Sequence, residues 1–289
     1  MNLIFNELSI FPIAENGHVA EENFKKFLAT FKEAKKVYGF NHIRFPNNYA
    51  ALQITTTETF FEWVSTLTNR TIKNLIIDLC KKPFTDELEE AELDAFFESN
   101  YTLLGDNVPT EIEPVGLPVS HIKTIPTISL ESHTFWRNRK IAIRKSNSNA
   151  TENIEFISYN LCVETDITSQ EIKQWADISM PKFIETKDVL IKYLCFSKYE
   201  LVFTDNFMEQ FLNWKSDNFE TFKYLLLLMK DVQIHPFTGG MGQTENLKGR
   251  GKEASKRITN SYPDGDRLSY TLENNIVTFI ACKGHYEFH

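Results

Sequence analysis

The chain has 289 residues with a net charge of −8, 42% of them apolar and 24% charged. This composition excludes a disordered chain, and at roughly 100–200 residues per domain the length favours two domains. No run approaches the roughly 18 consecutive apolar residues of a membrane-spanning helix, and residues 1–7 have no basic region ahead of an apolar stretch, which argues against a secretory signal.

The acidic excess argues against a general nucleic-acid binder, but the charge is unevenly spread. Residues 86–98 hold seven acids and no base, whereas residues 248–257 hold five basic residues (Lys248, Arg250, Lys252, Lys256, Arg257) against Glu253 alone. Cys80, Cys162, Cys195 and Cys282 are far apart and lack CxxC spacing. They read as reduced, buried thiols of a cytoplasmic protein and not as a zinc site or a disulfide framework.

Residues 3–11 suit a short strand. Phe24, Phe27, Leu28, Phe31 and Tyr38 recur at the spacing of an amphipathic helix. Phe60, Trp63, Val64 and Leu67 repeat it after the threonine-rich residues 55–57, which supply caps. The acidic residues 86–98 carry Leu88, Leu93, Phe96 and Phe97; a solvated helix face and a docking surface for something basic both fit them. Residues 105–118 read as a loop. Residues 127–130, 141–143 and 154–163 read as strands. Arg137, Arg139, Lys140, Arg144 and Lys145 decorate the middle one, either as an exposed face or as an RNA contact. Two short helices, 169–175 and 186–194, each open on a hydroxyl residue. His18, His42, His121 and His133 stand alone, without a second ligand at metal spacing. No GxGxxG with an acidic partner, P-loop, GxSxG or HExxH occurs.

From Tyr199 the pattern changes. Residues 201–203 read as a strand, followed by one helix with Phe207, Phe211 and Trp214 and a second with Phe222, Leu225, Leu226 and Met229. Pro236 and the glycines 239, 240 and 242 stop it. Three strands then form a meander at residues 257–259, 267–272 and 276–282, with turns at Asp264-Gly265 and at residues 273–275. The fold class is therefore α+β, with a mixed α/β domain at 1–196 and a small domain at 197–289.

Metal-free RNA cleavage needs a base for the 2′-hydroxyl, an acid for the leaving 5′-oxygen and a cation on the phosphorane. Glu245, His285 and Arg267 supply those three chemistries from three segments of the small domain. The plainer alternative makes Glu245 and Arg267 a surface salt bridge and His285 a passenger.

Residues 199–286 resemble the RelE superfamily of bacterial toxins, most closely its YoeB/Txe branch. The resemblance rests on His235-Pro236-Phe237-Thr238-Gly239, Gly242, Glu245-Asn246-Leu247-Lys248, Ser255-Lys256-Arg257-Ile258-Thr259, Asp266-Arg267-Leu268-Ser269-Tyr270 and Ala281-Cys282-Lys283-Gly284-His285-Tyr286. It implies two helices packed on an antiparallel sheet and an endoribonuclease that cuts mRNA at the ribosome without a metal or other cofactor. An antitoxin protein is an implied partner. It also places Glu245, Arg267, His285 and Tyr286 on catalytic positions and Lys248 and Arg257 on phosphate-contacting ones; Lys252 and Lys256 extend that basic patch. Ala254 departs from the family's aromatic, Lys256 from an arginine, Asp266 from a histidine and Gly284 from a common aromatic, and the chain runs past Tyr286. These changes bear on base stacking, and Asp266 stands beside the clamp. A RelE-like docking module without turnover is the competing reading. The large N-terminal portion, residues 1–196, which carries −7 of the net charge, suggests recognition, recruitment or restraint within one chain.

Overall fold

The computed structural model describes residues 1–147, 153–247, 252–259 and 265–284. The chain divides into two compact units, Met1–Met180 and Pro181–His289.

The first unit runs β1 (Asn2–Phe5), α1 (Gly17–Tyr38), β2 (His42–Arg44), α2 (Phe60–Thr66), α3 (Arg70–Leu79), α4 (Glu90–Phe97), β3 (Ser99–Leu104), α5 (Gly116–Lys123), β4 (Thr127–Ile128), β5 (Lys140–Asn147), β6 (Ile154–Leu161) and α6 (Gln170–Ser179). Among the described residues its strands form one sheet in the order β2-β1-β4-β6-β5-β3. The first four are parallel neighbours, and β5 and β3 complete the sheet antiparallel.

The expected amphipathic helix is α1. Asn16 caps it by accepting from the His18 and Val19 amides, and Gly39 ends it at φ 82°, in the left-handed region that glycine tolerates. Its Phe24 and Phe27 bury against Phe5, Phe60 and Trp63. The strand expected at 3–11 stops at Phe5, and a 3-10 turn follows at Glu7–Ile10. Of the acidic residues 86–98, Asp86 and Glu87 pair with Arg44, and Glu92 pairs with Lys123. In β5 and just before it, Arg144 pairs with Glu155, Arg139 with Asp166, and Arg137 with Glu131.

The second unit contains α7 (Lys187–Leu194), β7 (Glu200–Phe203), α8 (Asp205–Asp217), α9 (Phe219–Val232), β8 (Thr244–Asn246), β9 (Glu253–Arg257), β10 (Arg267–Glu273) and β11 (Ile276–Ala281). Its sheet has the order β7-β11-β10-β9-β8 among the described residues. β7 runs parallel to β11, and the other pairs are antiparallel. Asn274 and Asn275, both at positive φ, make the tight turn between β10 and β11. The Asp264 half of the other expected turn lies outside the described residues.

Thr204 and Asn218 cap α8 and α9. These helices pack on β11 and β10, burying Phe207, Phe211, Phe222, Leu225 and Met229 against Leu268, Tyr270, Val277 and Phe279. α7 lies ahead of the boundary read at residue 197, yet it packs on α9, and Lys230 Nζ sits 4.0 Å above the Tyr193 ring. Cys80, Cys162 and Cys282 are buried; Cys195 is exposed, contrary to the expectation for all four, because it ends α7 in a left-handed cap. Among the described residues, no helix is long and apolar enough to cross a membrane.

Candidate active site

Strand alternation sorts the side chains of the small sheet into two faces. In register, Glu245 opposes Ser255, Ser255 opposes Ser269, and Arg257 opposes Arg267. One face therefore carries Glu245 from β8, Glu253, Ser255 and Arg257 from β9, and Arg267 and Ser269 from β10. The other face carries Thr244, Ala254, Lys256, Leu268 and Tyr270 toward α9.

On the polar face, Arg267 Nη2 donates to Glu245 Oε1 at 3.0 Å, spanning β9 from strand to strand. The Arg267 side chain is 4% exposed and that of Glu245 32%, so the surface salt bridge of the plainer sequence reading becomes a largely buried pair open on the carboxylate side. Arg257 Nη2 stands 4.0 Å from the same Oε1. Ser269 Oγ donates to Glu253 Oε1 at 3.1 Å. The result is one carboxylate faced by two guanidiniums, an arrangement that presents positive charge to an anion.

The segment leading to His285 is tied beside this pair. Gln210 Oε1 on α8 accepts from the Cys282 and Lys283 amides, and Trp214 Nε1 donates to Cys282 O. The Arg267 amide donates to Gly284 O at 3.3 Å, and the Gly284 amide donates to Asp266 Oδ1 at 2.9 Å. Asp266 Oδ2 accepts from Thr259 Oγ1 at 3.0 Å. Asp266 thus braces the segment, a use its position beside Arg267 did not disclose. His285, Tyr286 and Lys248 lie outside the described residues.

Two readings of the sequence are corrected. Lys256 does not join an exposed basic patch: it is fully buried, with Nζ 2.7 Å from Asp231 Oδ2 and donating to Thr244 Oγ1 at 2.9 Å. Alternation is the reason, since Lys256 lies between Ser255 and Arg257 and must face the other way. Lys252 is exposed and Arg257 half-buried. Ala254 is likewise fully buried on the helix side, in register with Tyr270, so an aromatic there would enter the core and not the polar face.

The sequence did not flag Asp231. Its carboxylate meets Lys256, His235 Nδ1 at 2.9 Å and the Met241 amide at 3.0 Å. Burial works to raise its pKa, but hydrogen bonds from Lys256 and His235 prevail and hold it below the ordinary carboxylate value. Its one visible signal was an acid four residues ahead of His235, at helical i,i+4 spacing.

Residues 203–286 match the family model of the YoeB-like toxin of bacterial type II toxin-antitoxin systems. This match takes in every residue of the polar face. The same portion is similar to solved YoeB structures. A YoeB/ParE toxin from Agrobacterium tumefaciens is 26% identical, with 30% of this chain and 99% of that chain covered and a TM-score of 0.28. The YoeB dimer from Staphylococcus aureus is 24% identical, covering 31% and 100%, with a TM-score of 0.28. A YoeB–YefM complex from Staphylococcus aureus is 25% identical, covering 31% and 100%, with a TM-score of 0.27. No curated protein matches the chain. The N-terminal unit has no counterpart in the YoeB-like match, which begins at residue 203.

Proposed function

We propose that the YoeB-like portion is an endoribonuclease that cuts mRNA, at the ribosome, by metal-independent attack of a 2′-hydroxyl on the adjacent phosphate. Glu245 takes the 2′-hydroxyl proton as the O2′–P bond forms. Arg267 and Arg257 neutralise the phosphorane, and His285 protonates the departing 5′-oxygen as the P–O5′ bond breaks. The products are a 2′,3′-cyclic phosphate and a 5′-hydroxyl. Tyr286 acts beside His285. Lys248, Lys252 and Arg257 hold the phosphate backbone. The observation that carries this reading is the Arg267–Glu245 contact at 3.0 Å, made between β10 and β8 across β9, on motif positions of a toxin family.

The setting is cytoplasmic, and an antitoxin protein is the partner expected of a type II toxin. The N-terminal unit regulates the nuclease or recruits it. A second reading, RNA or ribosome docking without turnover, draws on the same contact, because Glu245 is already engaged by Arg267.

Incubating the purified full chain with labelled mRNA, with and without ribosomes, separates the two. Cleavage products ending in cyclic phosphate, lost in Glu245→Gln, support the enzyme. Tight binding with intact RNA in both conditions replaces it with the docking reading.

A further inference from the structure

The glutamate of the site sits on the least anchored strand of its sheet. β8 is three residues long and lies at the edge of the described sheet; Thr244 and Glu245 are half-buried, Asn246 is exposed, and none of the three has a large apolar side chain. Gly239, Gly240 and Gly242, all at positive φ, lead into it. Glycines there leave the backbone maximal freedom in the unfolded chain, so holding this segment in one place costs entropy that its own side chains do not offset.

The hold comes from the far side of the sheet. The fully buried Lys256 ammonium donates to Gly239 O at 3.4 Å, to Met241 O at 3.3 Å and to Thr244 Oγ1 at 2.9 Å, and pairs with Asp231 on α9 at 2.7 Å. Asp231 in turn accepts the Met241 amide, and the loop closes on it so tightly that a Cβ at Gly240 would lie 2.2 Å from Asp231 Oδ2. Four groups of the glycine loop and of Thr244, the residue before Glu245, therefore converge on one ion pair. Burying such a pair is seldom the best route to stability, because apolar residues of similar volume often do as well or better. What the pair offers that apolar residues lack is direction, through several hydrogen bonds of fixed geometry.

We propose that the Lys256–Asp231 pair is a positioning clamp: it fixes the glycine loop and Thr244 so that Glu245 is presented to Arg267 across β9. Lys256 is a positioning residue that reaches neither RNA nor the reacting atoms. Its effect on turnover rests on the nuclease reading above; its effect on the strand does not.

The test uses the full chain with Asp231→Asn and Lys256→Met combined, which removes both charges at nearly constant volume, and Lys256→Arg, which keeps charge and donors. Hydrogen exchange is read at Leu247 and Arg257, whose amides bond Glu253 O and Gly242 O beside β8. The clamp expects exchange there to speed at least about tenfold in the double variant while the β10–β11 ladder stays protected. It also expects kcat for RNA cleavage to fall roughly 10–100-fold with KM within about twofold, as for a displaced catalytic group, and Lys256→Arg to retain most of both. Parent-like exchange at Leu247 and Arg257 overturns the clamp. So does loosening of the whole unit, which would make the pair a stability element, or a loosened β8 with unchanged kcat. If the parent cuts no RNA, the nuclease reading falls, and the exchange measurement alone decides the clamp.

Discussion

Lys256 and Arg257 are neighbours in the chain and reach opposite faces of β9: one ammonium is buried 2.7 Å from Asp231, and one guanidinium stands 4.0 Å from Glu245. A run of basic residues on a strand is therefore two sets of charges, of which only one lies on the polar face.

That division predicts the salt dependence of RNA binding. Each phosphate contact on single-stranded RNA contributes about 0.7 to the slope of log K against log salt. Lys252→Glu and Arg257→Glu should each weaken binding and flatten the slope by about that amount. The Asp231→Asn, Lys256→Met pair should leave the slope alone. Fluorescence anisotropy across a salt series checks this, and an equal loss of slope from the buried pair would return Lys256 to the RNA surface.

The Glu245–Arg267 contact makes the two residues unequal under mutation. Glu245→Gln keeps the shape of the acceptor but removes the base, so cleavage should fall roughly 10²–10⁴-fold, and the melting temperature should fall too because the buried Arg267 loses its counter-charge. Arg267→Ala should cost a similar factor and also about 1–3 kcal/mol of stability, because it empties a buried site and strips a charged hydrogen bond. His285→Ala should slow cleavage about 10²–10⁴-fold as a lost general acid does. Calorimetry beside single-turnover cleavage distinguishes the three, and full activity of any one variant removes that residue from the mechanism.

Much of the second unit was legible in the sequence. Phe207, Phe211 and Trp214, and then Phe222, Leu225 and Met229, repeat at helical spacing and lie on the helices that cover the sheet. β8 was not legible, since Thr244, Glu245 and Asn246 carry no alternating apolar pattern and become a strand only by pairing with β9. In the first unit the loop expected at 105–118 ends inside the first turn of α5, which begins at Gly116, for a similar reason. Its N-terminus has no local cap; the buried Glu7, far away in sequence, accepts the Val115 and Gly116 amides at 2.7 and 3.0 Å. Glu245 and Arg267 were visible as residue types in order. Their supports, Asp231, Gln210 and Thr244, were not, because each acts through contacts that no motif spacing encodes.

Asp231 predicts a pH effect with a definite sign. Its folded pKa lies below its ordinary value of 3.8, so the pair with Lys256 contributes stability that is fully present above that value. The contribution is lost as pH falls through the lower, folded value. His235 Nδ1 stands 2.9 Å from the same carboxylate. Chemical denaturation of the parent between about pH 5 and pH 2 should show this decline, and Asp231→Asn should flatten it. Identical slopes for the two proteins would mean that other carboxylates carry the acid sensitivity.

The position of α7 decides how the nuclease must be cut out of the chain to test restraint by the N-terminal unit. Ile184 O accepts from Lys215, Lys187 pairs with Asp205, and Tyr193 lies under Lys230, so residues 181–196 are bound to α8 and α9. A fragment of residues 197–289 loses these contacts and uncovers part of α9. We expect it to melt lower than residues 181–289, which keep the complete second unit. Restraint is then read on the longer fragment. Glu90, Asp94 and Glu98 remain exposed on α4 and at its end, while Glu87 and Glu92 are engaged within the first unit. Restraint in cis predicts that residues 181–289 cut mRNA faster than the full chain and are more toxic when expressed. It also predicts that Glu90→Lys with Asp94→Lys in the full chain moves its rate toward that of the fragment. Equal rates for a folded 181–289 fragment and the full chain would reject restraint and assign residues 1–180 to recruitment.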